Sequence, residues 1–201
     1  MSPRTYRLGR RQAGADRTRA RILEAARLTL ADADGPTTFS IDSVGRRAGV
    51  ARMTVYYQFG SRRGLLEALF DDLAERGHMD RLPQAFGQAD PADALRDFVA
   101  AFGRFWATDR LTLRRLRSLA ALDPELAGAL RARDERRRHG LRVIVHRLAE
   151  ARGGPAQPDQ EDVVSLLFAL TGFEYFDALA GPDRSPEEVA PLVVRAALAL
   201  L

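Results

Sequence analysis

The sequence predicts an all-α chain, with an N-terminal three-helix helix-turn-helix domain followed by a larger helical domain. Three observations predict it. Apolar residues recur at helical rather than alternating spacing along most of the chain. Thr38 to Leu66 (TFSIDSVGRRAGVARMTVYYQFGSRRGLL) reads as two short helices around a tight turn, with a third beginning at once. Pro at a first helical turn, with acids beside it, recurs at Asp90-Pro91, Asp123-Pro124 and Ser185-Pro186.

Taken in order, residues 1–15 lack apolar periodicity and carry Arg4, Arg7, Arg10 and Arg11, the composition of a flexible basic arm. Such an arm enters a minor groove, follows phosphates, or stands idle in solvent, and all three readings are open. The first helix is expected from about Asp16 to Ala33, with Ile22, Leu23, Ala26, Leu30 and Ala33 on one face and Gly35-Pro36 ending it. Ser40 is placed to cap the next helix, whose Ile41, Val44 and Ala48 form its apolar stripe. Gly49 falls where a helix must stop and turn sharply, a place for positive φ. A helix over Ala51–Gln58 follows, closed by Phe59-Gly60. Ser61 then caps a longer helix carrying Leu65, Leu66, Leu69, Phe70 and Leu73 and ending near Gly77.

Beyond it the sequence predicts helices from Pro91 to about Thr108, over roughly Leu111–Leu122, and from Asp123-Pro124 to about Arg152. Gly153–Pro158 reads as a loop, 159–180 as one strongly apolar helix, and 186–201 as the last. Three segments result: an arm (1–15), a helix-turn-helix domain (16–77) and a helical domain (78–201).

At 201 residues and 46% hydrophobic, the chain can bury a substantial core. With no cysteine, disulfides, Cys-ligated zinc and Cys nucleophiles are excluded. No apolar run reaches the roughly 18 residues of a membrane span, and the N-terminus lacks the apolar core of a secretory signal, so a cytoplasmic protein without membrane attachment is expected. Three scattered histidines, no metal-spaced cluster, no phosphate loop and no nucleophile elbow argue against an enzyme; neither metal nor cofactor is expected.

All 31 basic residues are Arg, which reads as a bias of composition. Their placement is more telling. Residues 1–63 hold 13 Arg against 5 Asp and Glu, whereas 64–201 hold 18 against 22. A basic third joined to a mildly acidic remainder is the electrostatic footprint of a nucleic-acid reader attached to something else.

The ILEAA core of the first helix, Gly35, Ser40-Ile41-Asp42-Ser43-Val44, Ala48-Gly49-Val50, Thr54-Val55-Tyr56-Tyr57-Gln58-Phe59 and Ser61-Arg62-Arg63-Gly64-Leu65-Leu66 together form a compound pattern. Over about Arg17–Phe70 it resembles the DNA-binding domain of the TetR family of transcriptional regulators. Met53, Gly45 and Gly64 depart from the commoner small residue, Ala and acid of that pattern, and Met53 suggests an apolar touch on a thymine methyl. The resemblance implies that the second helix of the pair enters a DNA major groove. There Arg52, Met53, Thr54 and Tyr57 reach base edges, Arg52 pairing bidentately with a guanine. Tyr56, Ser40, Arg62 and the amides opening the following helix suit phosphates, and Arg46 and Arg47 lie near enough to touch the backbone. Packing of Phe59 or of one tyrosine into the small core is the competing reading.

The resemblance also implies that the helical domain binds a small-molecule effector and dimerises. The last two helices, about 159–180 and 186–201, are apolar all round and suit a four-helix bundle with a second copy. Phe102, Phe105, Trp106, Phe168 and Tyr175, with Arg117 and Thr171 as polar groups, could line a pocket or simply fill the core. His146 reads as a satisfied core histidine or an exposed one. The run Arg131–His139 (RARDERRRH) reads as a solvated helix face or a second basic patch. Two functions stay open: a repressor released from a near-palindromic operator by an effector, and an effector-independent regulator or architectural protein whose second domain only dimerises.

Overall fold

The computed structural model describes residues 3–32, 34–151, 153 and 160–201; the side chains of 3–12 and 36 lie outside what it describes. Among the described residues the fold is helical throughout, without strands. In chain order the helices are α1 (Pro3–Ala31), α2 (Gly35–Thr38), α3 (Ile41–Ala48), α4 (Arg52–Phe59) and α5 (Arg62–Arg76). Then come a 3-10 turn (Met79–Arg81), α6 (Leu82–Phe86), α7 (Pro91–Ala107), α8 (Arg110–Ala120), α9 (Pro124–Ala151), α10 (Gln160–Leu170), α11 (Phe173–Ala180) and α12 (Pro186–Ala199). They fall into two compact units: Met1–Asp72 with Leu111–Ala127, and Leu73–Arg110 with Gly128–Leu201.

The first unit is built on the apolar stripe of α1. Ile22, Ala26 and Leu30 are fully buried, α1 packs on α3 and α3 on α4, and Val44, Val55, Leu65, Leu66 and Leu69 are fully buried as well. A Cβ added at Gly35 would collide with the carbonyls of Thr29 and Leu30, so the chain leaves α1 by an approach that only glycine allows. Arg115 on α8 donates to the carbonyls of Leu30 and Asp32, satisfying acceptors that a helix end leaves open. Leu113, Leu116, Leu119 and Leu126 complete the apolar interior of this unit.

Helix α1 begins at Pro3, not near Asp16 as the periodicity suggests. Residues 3–15 are mostly good helix formers, so the helix propagates through a stretch whose sequence has no apolar periodicity. The side chains of Arg4, Arg7, Arg10 and Arg11 lie outside the described residues, as do Ala33, Arg152 and most of the Gly153–Pro158 loop.

In the second unit α7 is central, packed on α12, α6 and α11. Phe98, Phe102, Phe105 and Trp106 are all buried, with ring centroids 4.9 Å apart for Phe98–Phe102 and 4.4 Å for Phe105–Trp106. Helix α9 comes close enough that a Cβ at Gly140 would stand 3.0 Å from both Phe86 and Phe98. Arg110 is anchored to Asp177 of α11 and donates to the Asp177 and Arg184 carbonyls.

The predicted helix over 159–180 is in fact two, α10 and α11, bent by 51° at Thr171-Gly172. Thr171 is fully buried. Its Oγ1 donates to the Leu167 carbonyl at 2.8 Å, and its own carbonyl accepts from Trp106 Nε1 at 3.0 Å. Gly172 then turns extended (φ −74°, ψ 156°) as the N-cap of α11. The tryptophan, 65 positions away, takes an acceptor that would otherwise continue the helix.

Candidate DNA-binding surface

The turn between α3 and α4 is fixed by local chemistry. Ser40 has an extended backbone and its Oγ accepts from the Ser43 amide at 3.1 Å, while Ser43 Oγ accepts from the Ser40 amide at 2.9 Å. Two amides at the start of α3 are thus satisfied reciprocally. Gly49 closes α3 in the left-handed region (φ 63°), where a side chain would be strained. Its amide and that of Val50 bond back to the carbonyls of Arg46 and Gly45. Ala51, extended, is the N-cap of α4, so Gly49, Val50 and Ala51 alone join the two helices.

Helix α4 buries only Val55. Met53 is 54% and Tyr57 84% exposed, and Arg52 also faces solvent. Thr54 and Tyr56 are half-buried at the edges of this face. Exposed large apolar and aromatic side chains on a short helix leave a surface free to meet a partner. Arg52 is held over the Tyr56 ring at 5.6 Å and pairs with Asp42 Oδ2 at 3.1 Å. Arg46 and Arg47 stand exposed in the last turn of α3, Arg47 paired with Asp32 at 2.7 Å. The structure thus gathers Ser40, Arg46, Arg47, Arg52, Met53, Thr54, Tyr56 and Tyr57 on α3 and α4.

Arg62 is differently placed. It donates to the Phe39 carbonyl and to Asp123 Oδ2, both at 3.3 Å, and lies over the Phe39 ring, so its guanidinium is engaged inside the unit. Arg19 is a residue that sequence reasoning missed. It donates to the Gln58 carbonyl at 3.2 Å and covers the half-buried Phe59 ring at 4.5 Å, capping the end of α4. Asp42, the partner of Arg52, was also missed. Charge counting alone does not find such pairs, because they join residues 10 to 39 positions apart.

Residues 22–69 match the family model described as bacterial regulatory proteins, tetR family. The chain carries a TetR-family DNA-binding domain. The match lies within the first unit and covers the helices on either side of the turn at Gly49. No curated protein matches the chain. Among solved structures it is similar to the TetR-family transcriptional regulator PfmR of Thermus thermophilus. The identity is 24% and the TM-score 0.65, over 89% of this chain and 97% of that one. The fatty acid degradation regulator FadR of Bacillus halodurans gives 18% and 0.73, over 90% and 94%. FadR of Bacillus subtilis, solved in complex with stearoyl-CoA, gives 16% and 0.67, over 90% and 98%. At these identities the likeness is one of fold, and it takes in both the TetR-family domain and the helical remainder.

In the second unit, Phe102, Phe105, Trp106 and Thr171 are buried and packed on one another. Phe168 is half-buried, Tyr175 is 37% exposed, and Arg117 belongs to the first unit. The run Arg131–His139 is solvated for the most part, with one correction. Arg137 turns inward and is only 5% exposed. It donates to the Phe168 carbonyl at 2.6 Å and to Thr171 Oγ1 at 2.9 Å, stacks on the Phe168 ring at 3.9 Å, and pairs with Asp134 at 3.3 Å. His146 is exposed beside Glu150. No group of metal-ligating side chains occurs among the described residues, and no single helix there is long and apolar enough to cross a membrane.

Proposed function

We propose that the chain is a cytoplasmic repressor that binds a near-palindromic operator as a homodimer and is released by a small-molecule effector. The observation that carries the DNA reading is the solvent face of α4, where Arg52, Met53 and Tyr57 project beside Arg46 on the closing turn of α3. Two such helices, held by a dimer with centres about 34 Å apart, enter successive major grooves. Arg52, Met53, Thr54 and Tyr57 read base edges; Ser40, Arg46, Arg47 and Tyr56 touch phosphates. Arg62 reaches a phosphate only by exchanging its bond to Asp123.

Dimerisation through α10, α11 and α12 draws support from the solvent-facing apolar side chains there, with Leu166 50% and Tyr175 37% exposed. The effector belongs to the second unit, among Phe102, Phe105, Trp106, Phe168, Thr171 and Tyr175, and shifts DNA binding by its differential affinity for two dimer conformations. Because a FadR of this fold was solved with stearoyl-CoA, a long-chain acyl-CoA is the first effector to try. A second reading, in which this unit only dimerises, draws on the tight packing of Phe102, Phe105 and Trp106.

The test is selection from random and genomic duplexes followed by fluorescence anisotropy across a salt series. Recovery of a near-palindrome bound by two chains supports the repressor. Salt-sensitive binding without sequence preference points to the architectural reading, and no duplex binding at low salt removes both. Stearoyl-CoA, followed by other small molecules, is then titrated into the operator complex.

A further inference from the structure

Asp123, just before α9, and Glu125, in its first turn, both reach the first turn of α5, and all the groups involved lie within the first unit. Asp123 uses its two oxygens for two tasks. Oδ1 accepts from the amides of Glu125 at 3.2 Å and Leu126 at 3.0 Å, which caps α9. Oδ2 accepts from Arg62 at 3.3 Å, across 61 positions of the chain. Arg62 Nε donates to the Phe39 carbonyl at 3.3 Å, and its guanidinium lies over the Phe39 ring. Its neighbour Arg63 is shared between Glu67 at 3.0 Å and Glu125 at 3.5 Å.

Stability does not account for these pairs. The Arg62 and Asp123 side chains are 36% and 28% exposed, those of Arg63 and Glu125 47% and 75%. Ion pairs so open to water hold weakly, and the cap of α9 needs only Oδ1. What the pairs decide is which anion the arginines carry. A carboxylate and a phosphate offer a guanidinium the same charge-assisted acceptors, so the two compete for one fork. We infer that Asp123 and Glu125 are built-in phosphate mimics, an autoinhibitory clasp that holds Arg62 and Arg63 until DNA displaces it. The clasp rests on the reading of this unit as DNA-binding and names what opposes that binding. Arg62 stays pinned at Nε by Phe39, so only the far end of its fork changes partner. Each exchange bares a carboxylate that gathers a cation as the phosphate sheds one, so the exchange releases no net counterion. The clasp therefore lowers affinity for every duplex alike, and sequence preference stays with α4.

The experiment uses the full chain and a short fluorescein-labelled duplex of mixed sequence, with anisotropy read across a salt series. Asp123→Asn keeps an oxygen for the α9 cap and, together with Glu125→Gln, removes both mimics. The double variant is expected to bind about tenfold tighter or more, with a salt slope steeper by about 0.9 for each arginine released. A gain of this kind cannot come from misfolding. In an Arg62→Ala, Arg63→Ala background the same two substitutions change affinity by less than about twofold, as a double-mutant cycle requires of a direct pair. Without DNA, phenylglyoxal modifies Arg62 several-fold faster in the double variant than in the parent, as read by mass spectrometry. Equal gains with and without the arginines would reduce the acids to diffuse charge and overturn the clasp. So would parent-like affinity in the double variant, or Arg62 modified at one rate in both proteins, and the DNA reading survives each of these results. Failure of parent and double variant alike to bind the duplex at low salt overturns the DNA reading and the clasp with it.

Discussion

Tyr57 shows 84% of its surface to solvent, while Val55, two residues earlier on α4, is fully buried. The two positions separate function from folding. Tyr57→Ala is expected to leave thermal stability within about 0.5 kcal/mol of the parent, as surface substitutions do. The same change lowers operator affinity by about tenfold, the cost of one good base contact; anisotropy and calorimetry on one preparation check both. Arg52, proposed above to read a base, is paired with Asp42 at 3.1 Å. Arg52→Ala should relax preference at one base pair, whereas Asp42→Asn frees the guanidinium, removes a charge facing the phosphates, and tightens binding to all sequences. Looser binding by Asp42→Asn would mean that the pair orients Arg52 for readout. Much of this surface is legible in the sequence, because Ser40, Gly49 and the exposed face of α4 follow from rules acting within a few residues. Arg19 on Phe59 and Arg62 on Asp123 are not, since pairing across 39 and 61 positions exists only after packing. Arg137 was the least legible. Its neighbours Arg136 and His139 are exposed, and only the arrival of Phe168 and Thr171 makes one arginine of the run a buried group. Arg137→Ala is expected to lower stability by about 2–4 kcal/mol, through a cavity and two acceptors left without their donor, as read by denaturant unfolding.

Among elements, α12 shows how a cap reaches into pH dependence. Ser185 Oγ accepts from the Glu188 amide at 3.1 Å, and Glu188 accepts from the Ser185 amide at 2.6 Å. The second bond holds the Glu188 carboxyl below the ordinary glutamate range. A depressed carboxyl contributes stability that is present above its unfolded pKa and lost as pH falls through the lower folded value. Glu188→Gln, which keeps the cap's shape but removes the titrating carboxyl, should therefore lower stability at neutral pH and flatten the acid side of the stability profile. An acid limb unchanged by the substitution would show that the box contributes nothing there. The start of α12 is readable because Ser185-Pro186-Glu187-Glu188 carries its own signal. The break between α10 and α11 is not, since apolar residues run through it without proline. It depends on Trp106 arriving from α7, so a periodicity of 3.6 continues across a bend that local chemistry does not announce. The short α6 and the 3-10 turn before it are equally silent, too brief for a stripe to register.

At the scale of the whole molecule, the proposed dimer has a direct test. Light scattering should give twice the 22.2 kDa of one chain, and Leu166→Arg, at a half-exposed position of α10, should give monomers that bind a single half-site weakly. A dimer that survives this change would place the interface elsewhere. The likeness to solved regulators over about nine-tenths of both chains was legible in kind from the first seventy residues, whereas the division that assigns α8 to the first unit was not. Trp106 adds an optical consequence. It is the single tryptophan of the chain, fully buried, with its indole N–H on the Thr171 carbonyl where α10 gives way to α11. All indole emission from this protein thus originates beside one bend. Any event that loosens that bend, whether a ligand, a second copy or operator DNA, writes its progress as a red shift that needs no label.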